Sequence, residues 1–498
     1  MEAFPQVYAP DTVVRGEPFE VSVVFNSKPS TPGAPQLAVV VEQDQRVEME
    51  VEVLLPEDSA IEADGVPTIG QLRLADSGQS PRLSFRLVGR RCGLASVDVV
   101  FRYNHVERLR LAVPIYVEAS AVERTSSEPR VASGELAVSA TSKEPVVVMR
   151  IERRFSEGPS VAWRVTLLGP AELVPFGISV MHEVPASIQE LLVEQCRKFE
   201  HDFDPQLKPE LLESRLRRVG LSLAETLLPP EIQNALVELP EKLALHIEAD
   251  DAWAPWEMIR LGGSDSGFFI GERFAVTRWL REGSRRDRLC VGPAVLVAPT
   301  DGGLSVTEER KALRRLLGQA PLEMRSLAEV SNFLDGNLHA EYGRCHFLHF
   351  AAHGVLPTGD PHGGRILLQD QRALLVTDVA PPGIGEDIEK APLLGSCVFI
   401  NACQAGISGR ASLTGHAGWA GVLSKAGVAA TIVPSWSVYD STASSFAVAF
   451  YDEIGGGVTL GEAARRARVW AREEGNPDRL AFSVFALPEL RLERESGE

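Results

Sequence analysis

Two residues set fifty positions apart, His353 and Cys403, could together make a thiol nucleophile and its base. His353-Gly354 directly follows the apolar run HFLHFAA (346–352), and Cys403 directly follows CVFINA (397–402). A thiol attacks as the thiolate, so it needs a base beside it and a support rigid enough to fix the distance. If the two runs are neighbouring strands, imidazole and thiol emerge side by side at one sheet edge. Gly354 lacks a Cβ, which lets backbone N–H groups approach a reacting carbonyl; with the N–H of Cys403 it could hold a developing oxyanion. The alternative is that Cys403 is a small buried hydrophobe and His353 a satisfied loop histidine. Residue types alone leave both open.

Other groups nearby were weighed in the same way. His346, His349 and His353, with Cys345 and His362, have the composition of a metal site. On a strand, however, His346 and His349 face opposite ways, so no metal ion is expected. The segment Pro434 to Asp440 leaves another strand end and should rim the same cleft, which makes Ser435, Trp436 and Asp440 substrate-pocket candidates. Asp440 either pairs a substrate Arg or Lys or caps the helix beginning near Ser441. Trp436 is either pocket wall or core. Trp253, Trp256 and Glu257 surround a proline and read as packing. Gly262-Gly263 and Gly455 to Gly457 lack phosphate-loop spacing, so no nucleotide or other cofactor is expected.

The elements that must position these groups alternate strand and helix over the last two hundred residues. Strands are predicted at 294–298, 346–352, 397–402, 428–434 and 481–487, with helices from Thr307 and over 415–426, 441–454 and 460–473. Such alternation predicts a mostly parallel α/β sheet flanked by helices, with ligands bound at the carboxyl ends of its strands. Upstream, strands are expected over 146–151, 161–168 and 243–247, and helices over 210–227 and 230–239. A capping box at Ser187 and Glu190 starts a further helix.

From Phe19 to Val117 the period is two: Val47, Met49, Val51 and Val53 alternate with Glu48, Glu50 and Glu52. About seven strands in that span predict an all-β immunoglobulin-like sandwich over 1–118. It serves either to dock a regulatory protein partner or as a structural appendage. Residues 119–145 have linker composition. The expected division is therefore a sandwich (1–118), a linker (119–145), a scaffold half (146–290) and a catalytic half (291–498).

With 50 Lys and Arg against 68 Asp and Glu, the net charge is −18, and no basic run offsets it, so nucleic acid is a poor partner. The amino terminus has no signal-peptide pattern, and no apolar stretch reaches bilayer length. A cytoplasmic protein without membrane association is expected. Six scattered cysteines do not form a disulfide framework.

The segments LHFAAHG (348–354), VFINACQAG (398–406), GWAGVLSKAGVAATIVPSWSVYD (418–440), AFYDEI (449–454) and TLGEAARRAR (459–468) resemble successive blocks of the CHAT domain, a caspase-like protease family of clan CD. The run Trp253 to Ile259 and the following Gly271 to Val276 are similar to that family's amino-terminal half. The resemblance covers about residues 146–490 and implies a caspase-like α/β domain. It also implies a cysteine protease with His353 and Cys403 as catalytic dyad, Gly354 and Cys403 as oxyanion hole, and a protein substrate. By resemblance to bacterial members, its setting is antiviral defence, where a signal or partner activates it to cut an effector. The family's name mentions tetratricopeptide repeats, which this chain lacks, so the regulatory input differs. A catalytically silent pseudoprotease that grips a peptide is the rival reading.

Overall fold

The computed structural model describes residues 4–26, 39–40, 47–55, 59–65, 67–74, 80–119, 130–133, 138–139, 144–154, 160–175, 177–188, 209–249, 254–263, 267–280, 289–300, 306–338, 345–355, 365–379, 392–402, 418–436 and 438–493. The chain divides into two compact units, 1–143 and 144–498. The capping box at Ser187 and Glu190 lies partly outside the described residues.

The first unit holds two five-stranded sheets. One contains Phe4–Ala9, Pro18–Asn26, Ile61–Ala63, Leu83–Gly89 and Arg130–Ser133; the other contains Thr12–Val14, Val47–Leu54, Ile69–Leu74, Gly93–Tyr103 and Val106–Glu118. The period-two pattern works as alternation requires: Val47, Met49, Val51 and Val53 are buried in one core with Val21, Val23 and Phe25, while Glu48 is exposed. Inside the span of linker composition, Arg130–Ser133 pairs antiparallel with Phe4–Ala9, through backbone bonds to which composition is blind.

The second unit is built on one eleven-stranded mixed sheet. Its strands are β1 (Val146–Arg154), β2 (Ser160–Leu168), β3 (Ile178–Pro185), β4 (Ala244–Ala249), β5 (Ala275–Leu280), β6 (Ala294–Val297), β7 (Leu322–Met324), β8 (Phe347–Ala351), β9 (Cys397–Asn401), β10 (Ala430–Pro434) and β11 (Phe482–Phe485). In space they run β3-β2-β1-β4-β5-β11-β10-β9-β8-β6-β7. The outer β1–β2 and β2–β3 pairs and the inner β10–β11 pair are antiparallel; the rest are parallel. β8 and β10 are buried along their whole length, as strands covered on both faces must be.

Helices α1 (Pro209–Leu227), α2 (Pro230–Glu238), α3 (Ile270–Arg273), α4 (Thr307–Leu317), α5 (Leu327–Leu334), α6 (Trp419–Lys425), α7 (Asp440–Gly455) and α8 (Leu460–Glu473) complete the unit. In α7, Ala443, Phe446, Ala447, Phe450, Tyr451 and Ile454 recur at helical spacing and are all buried. Phe446 stacks on Phe482 of β11 at 4.4 Å between centroids, and Phe450 and Tyr451 meet Phe399 of β9. The helix thereby sits across the sheet behind the strand ends.

A buried charge cluster lies where the two halves of the sheet meet. Glu257, on the turn Trp256–Met258, is 1% exposed and accepts from the Nε of Arg278 at 3.0 Å and again from its Nη2. Arg468 of α8 approaches the same carboxylate at 3.9 Å and donates to the Phe482 carbonyl at 2.8 Å. Ser483 adds its hydroxyl to Glu257. One carboxylate thus links β5, β11 and α8. Burial, and then the neighbouring Arg468 charge, hold the Arg278 guanidinium well below its ordinary value. Replacing Glu257 by Gln leaves two buried cations without their counter-charge, an expected loss of about 3–5 kcal/mol readable as a lower denaturation midpoint.

Candidate active site

β8 and β9 are adjacent and parallel, with Ala351 opposite Asn401. The Ala352 N–H donates to the Asn401 carbonyl at 3.2 Å, so the two strands leave the sheet together. His353 is the next residue of one chain segment. Cys403, two residues beyond Asn401, lies outside the described residues. After Ala352 the chain turns into the short strand His353–Val355, which pairs antiparallel with Arg365–Leu367; His353 stands opposite Leu367 and Gly354 opposite Ile366. The half-buried imidazole is therefore carried at the root of a three-stranded flap, not on an irregular loop.

A small cavity of about 20 Å³ opens at these strand ends. Glu309, Ala352, Asn401, Pro434, Asp440 and Ser444 are among its lining residues. Asp440 is the first residue of α7, and the capping position before it is Tyr439, so Asp440 is not the helix cap. Its exposed carboxylate has no hydrogen-bond or ion-pair partner among the described residues. Ser435 and Trp436 are both buried: Ser435 Oγ meets Ser483 Oγ at 3.3 Å, and Trp436 Nε1 donates to Asp478 at 3.3 Å. Asp478 also accepts from the Tyr439 N–H at 3.2 Å, so one carboxylate ties down the segment that ends in Asp440.

Glu309 was not singled out in the sequence. It is 2% exposed in the first turn of α4, where the helix's N–H dipoles favour an anion, and it accepts from Asn401 Nδ2 at 2.5 Å. His349 Nε2 lies 3.6 Å from the same carboxylate, and its Nδ1 lies 2.7 Å from the Tyr451 hydroxyl. The ring is fully buried and stacks on Phe399 at 5.1 Å. Burial pushes the Tyr451 phenol well above its ordinary value, with the Glu309 carboxylate adding to it, which keeps its proton in place. Nδ1 and the Tyr451 hydroxyl share one hydrogen bond, while Nε2 faces the Glu309 carboxylate at a separation longer than a hydrogen bond. Tyr451, His349, Glu309 and Asn401 thus form a polar line from the core to the cavity. An acid in the first turn of the helix that follows β6 was the available sequence signal for Glu309.

The remaining histidine and cysteine candidates are separated by the strand alternation. His346 Nδ1 lies 3.0 Å from the Cys290 carbonyl, on a different partner from His349, and His362 lies outside the described residues. Among the described residues, no group of three His, Cys, Asp or Glu side chains is arranged to hold a metal ion. No described helix is long and apolar enough to cross a membrane. Burial pushes the Cys345 thiol up to about 12 and Cys397 higher still, so neither is a nucleophile at neutral pH. Iodoacetamide at pH 8 is expected to alkylate exposed Cys92 in the folded chain and to spare Cys345 and Cys397 until denaturant is added, as peptide mass spectrometry would read.

Tyr451→Phe leaves the buried His349 Nδ1 without its partner and should cost about 1–3 kcal/mol in a denaturant titration.

The CHAT domain family model matches residues 217–489, more than half of the chain. No curated protein matches it. Among solved structures, the chain is similar to the Arg-specific cysteine proteinase gingipain R at 12% identity, over 56% of this chain and 68% of that one, with a TM-score of 0.34. It is similar to the complex of Porphyromonas gingivalis RgpB pro- and mature domains at 12% identity, over 59% and 77%, with a TM-score of 0.35. It is also similar to the Saccharomyces cerevisiae separase–securin complex at 10% identity, over 70% of this chain but 30% of that one, with a TM-score of 0.39. The family match spans both the Glu257 turn and the strand ends that carry His353 and precede Cys403, and on it the chain belongs to the CHAT domain family.

Proposed function

We propose that the chain is a cysteine endopeptidase acting through an acyl-enzyme. Cys403 attacks the scissile carbonyl as a thiolate, its proton held by His353; the imidazolium then protonates the leaving amine, and the neutral ring activates water to release the acid. The N–H groups of Gly354 and Cys403 receive the oxyanion of each tetrahedral intermediate. The observation that carries this reading is the register of β8 on β9, with Ala352 bonded to Asn401, because it gives both catalytic residues the same point of departure.

The pocket for the side chain before the scissile bond is read at the rim of this cavity, where the exposed Asp440 carboxylate suits an Arg or Lys and buried Glu309 stays with Asn401. Ser435 and Trp436 support that wall from behind. The amino-terminal unit, read as an immunoglobulin-like sandwich, docks a regulatory protein. The setting is cytoplasmic defence, in which a restrained protease is released to cut a partner effector.

Cys403→Ala and His353→Ala are each expected to lower turnover of a fluorogenic peptide by at least about 10³-fold with the fold intact by circular dichroism. Retained proteolysis in Cys403→Ala would overturn the assignment of the nucleophile, whereas absent or indiscriminate labelling by a peptide electrophile would identify a binding scaffold instead. Asp440→Asn should cost about 1.5–3 kcal/mol in kcat/KM for an Arg substrate, roughly ten- to a hundredfold, and little for a neutral one.

A further inference from the structure

Away from the strand ends, the scaffold half contains a cleft of about 370 Å³ bounded by α1, α3, α8 and the strand Arg260–Leu261. Its described lining includes Arg217, Arg260, Arg273, Arg465 and Arg472 against Glu213, Glu241 and Glu272, with Arg465 already held by both carboxylate oxygens of Glu462. A positive excess in so small a volume is notable in a chain whose net charge is −18. Two of these cations lie over aromatic faces: Arg273 is 4.2 Å from the Phe268 centroid and Arg260 is 5.3 Å from that of Phe269. Arg217 and Arg472 are each about half exposed, at 46% and 48%, and their ion pairs to Glu213 and Glu272 engage one nitrogen apiece. Cationic crowding is felt at Arg260, which burial and then the Arg217 charge lower from the ordinary value.

We propose that this arginine-lined cleft binds a compact polyphosphate ligand. Planar guanidinium forks match phosphate oxygens in pairs, and several of them converge on one small volume. An acidic peptide presents same-face carboxylates only about every 7 Å along a strand, a sparser charge than the cleft supplies.

The cleft is also wired to the proposed pocket. Arg479, on the turn Pro477–Leu480, donates to Glu272 at 2.5 Å and to Glu213 at 2.8 Å. Its chain neighbour Asp478 holds Trp436 and the Tyr439 N–H, immediately before Asp440. A phosphate that competes with Glu213 and Glu272 for Arg217 and Arg472 changes the carboxylates that fix this turn. The ligand therefore shifts the substrate wall, a regulatory consequence that rests on the peptidase reading above.

Isothermal titration of the full-length Cys403→Ala chain with inorganic tripolyphosphate tests the site without requiring turnover. Saturable one-to-one binding, weakened at least tenfold in an Arg217→Gln, Arg472→Gln double variant of unchanged melting temperature, is the expected result. Absent heat, or equal binding by the double variant, overturns the site. Tighter binding of hexaglutamate than of tripolyphosphate overturns the ligand class. In the chain with Cys403 intact, saturating tripolyphosphate should change KM for an Arg peptide at least threefold; binding without a change in KM or kcat overturns the coupling. A chain that binds but never turns over any peptide refutes the peptidase reading and leaves the site standing.

Discussion

The pairing of β8 with β9 is the constraint on which the rest depends. Parallel strands have no hairpin between them, so the segment separating Ala351 from Cys397 must cross over and return in the same direction. Both strands then end at one edge, and the residues following them share a rim by topology. A slip of one residue would turn His349 away from Tyr451 and move Asn401 off Glu309, since alternate side chains face opposite ways. Buried contacts on both faces of β8 make such a slip costly.

Around that pair, buried polar groups do two separate jobs. The Glu257 cluster joins strands and a helix at the middle of the sheet, and its worth lies in what its loss would strand: two cations in a medium that solvates neither. The line Tyr451, His349, Glu309, Asn401 instead leads from the core to the cavity. It orients a carboxylate and the last residue of β9, with the aromatic packing of α7 holding Tyr451 in reach.

Charge is distributed unevenly over this acidic chain. Carboxylates line the cavity at the strand ends, whereas guanidinium groups dominate the cleft beside α1 and α8. The turn Pro477–Leu480 belongs to both, because Arg479 faces the cleft and Asp478 faces the pocket segment. Adjacent residues of opposite charge on one short turn thus hold partners in both regions.

Much of the fold was legible in one dimension. Apolar runs bounded by Gly, Pro and Ser marked β8, β9, β10 and β11, and helical spacing marked α7 and α8 to within a few residues of their ends. The rule that chemistry gathers at carboxyl ends of parallel strands drew attention to His353, Cys403 and Asp440. Short pairings such as Leu322–Met324 and Phe268–Phe269 carried too few residues for a period to emerge. Residue types and periodicity are local properties, so they marked the longer strands and helices and the side chains that could do chemistry. Only the tertiary structure decided that Trp436 is buried against Asp478, that Asp440 shares a cavity with Glu309, and that five arginines from four elements meet in one cleft. Those outcomes depend on contacts between residues as far as 266 positions apart, which no local pattern encodes.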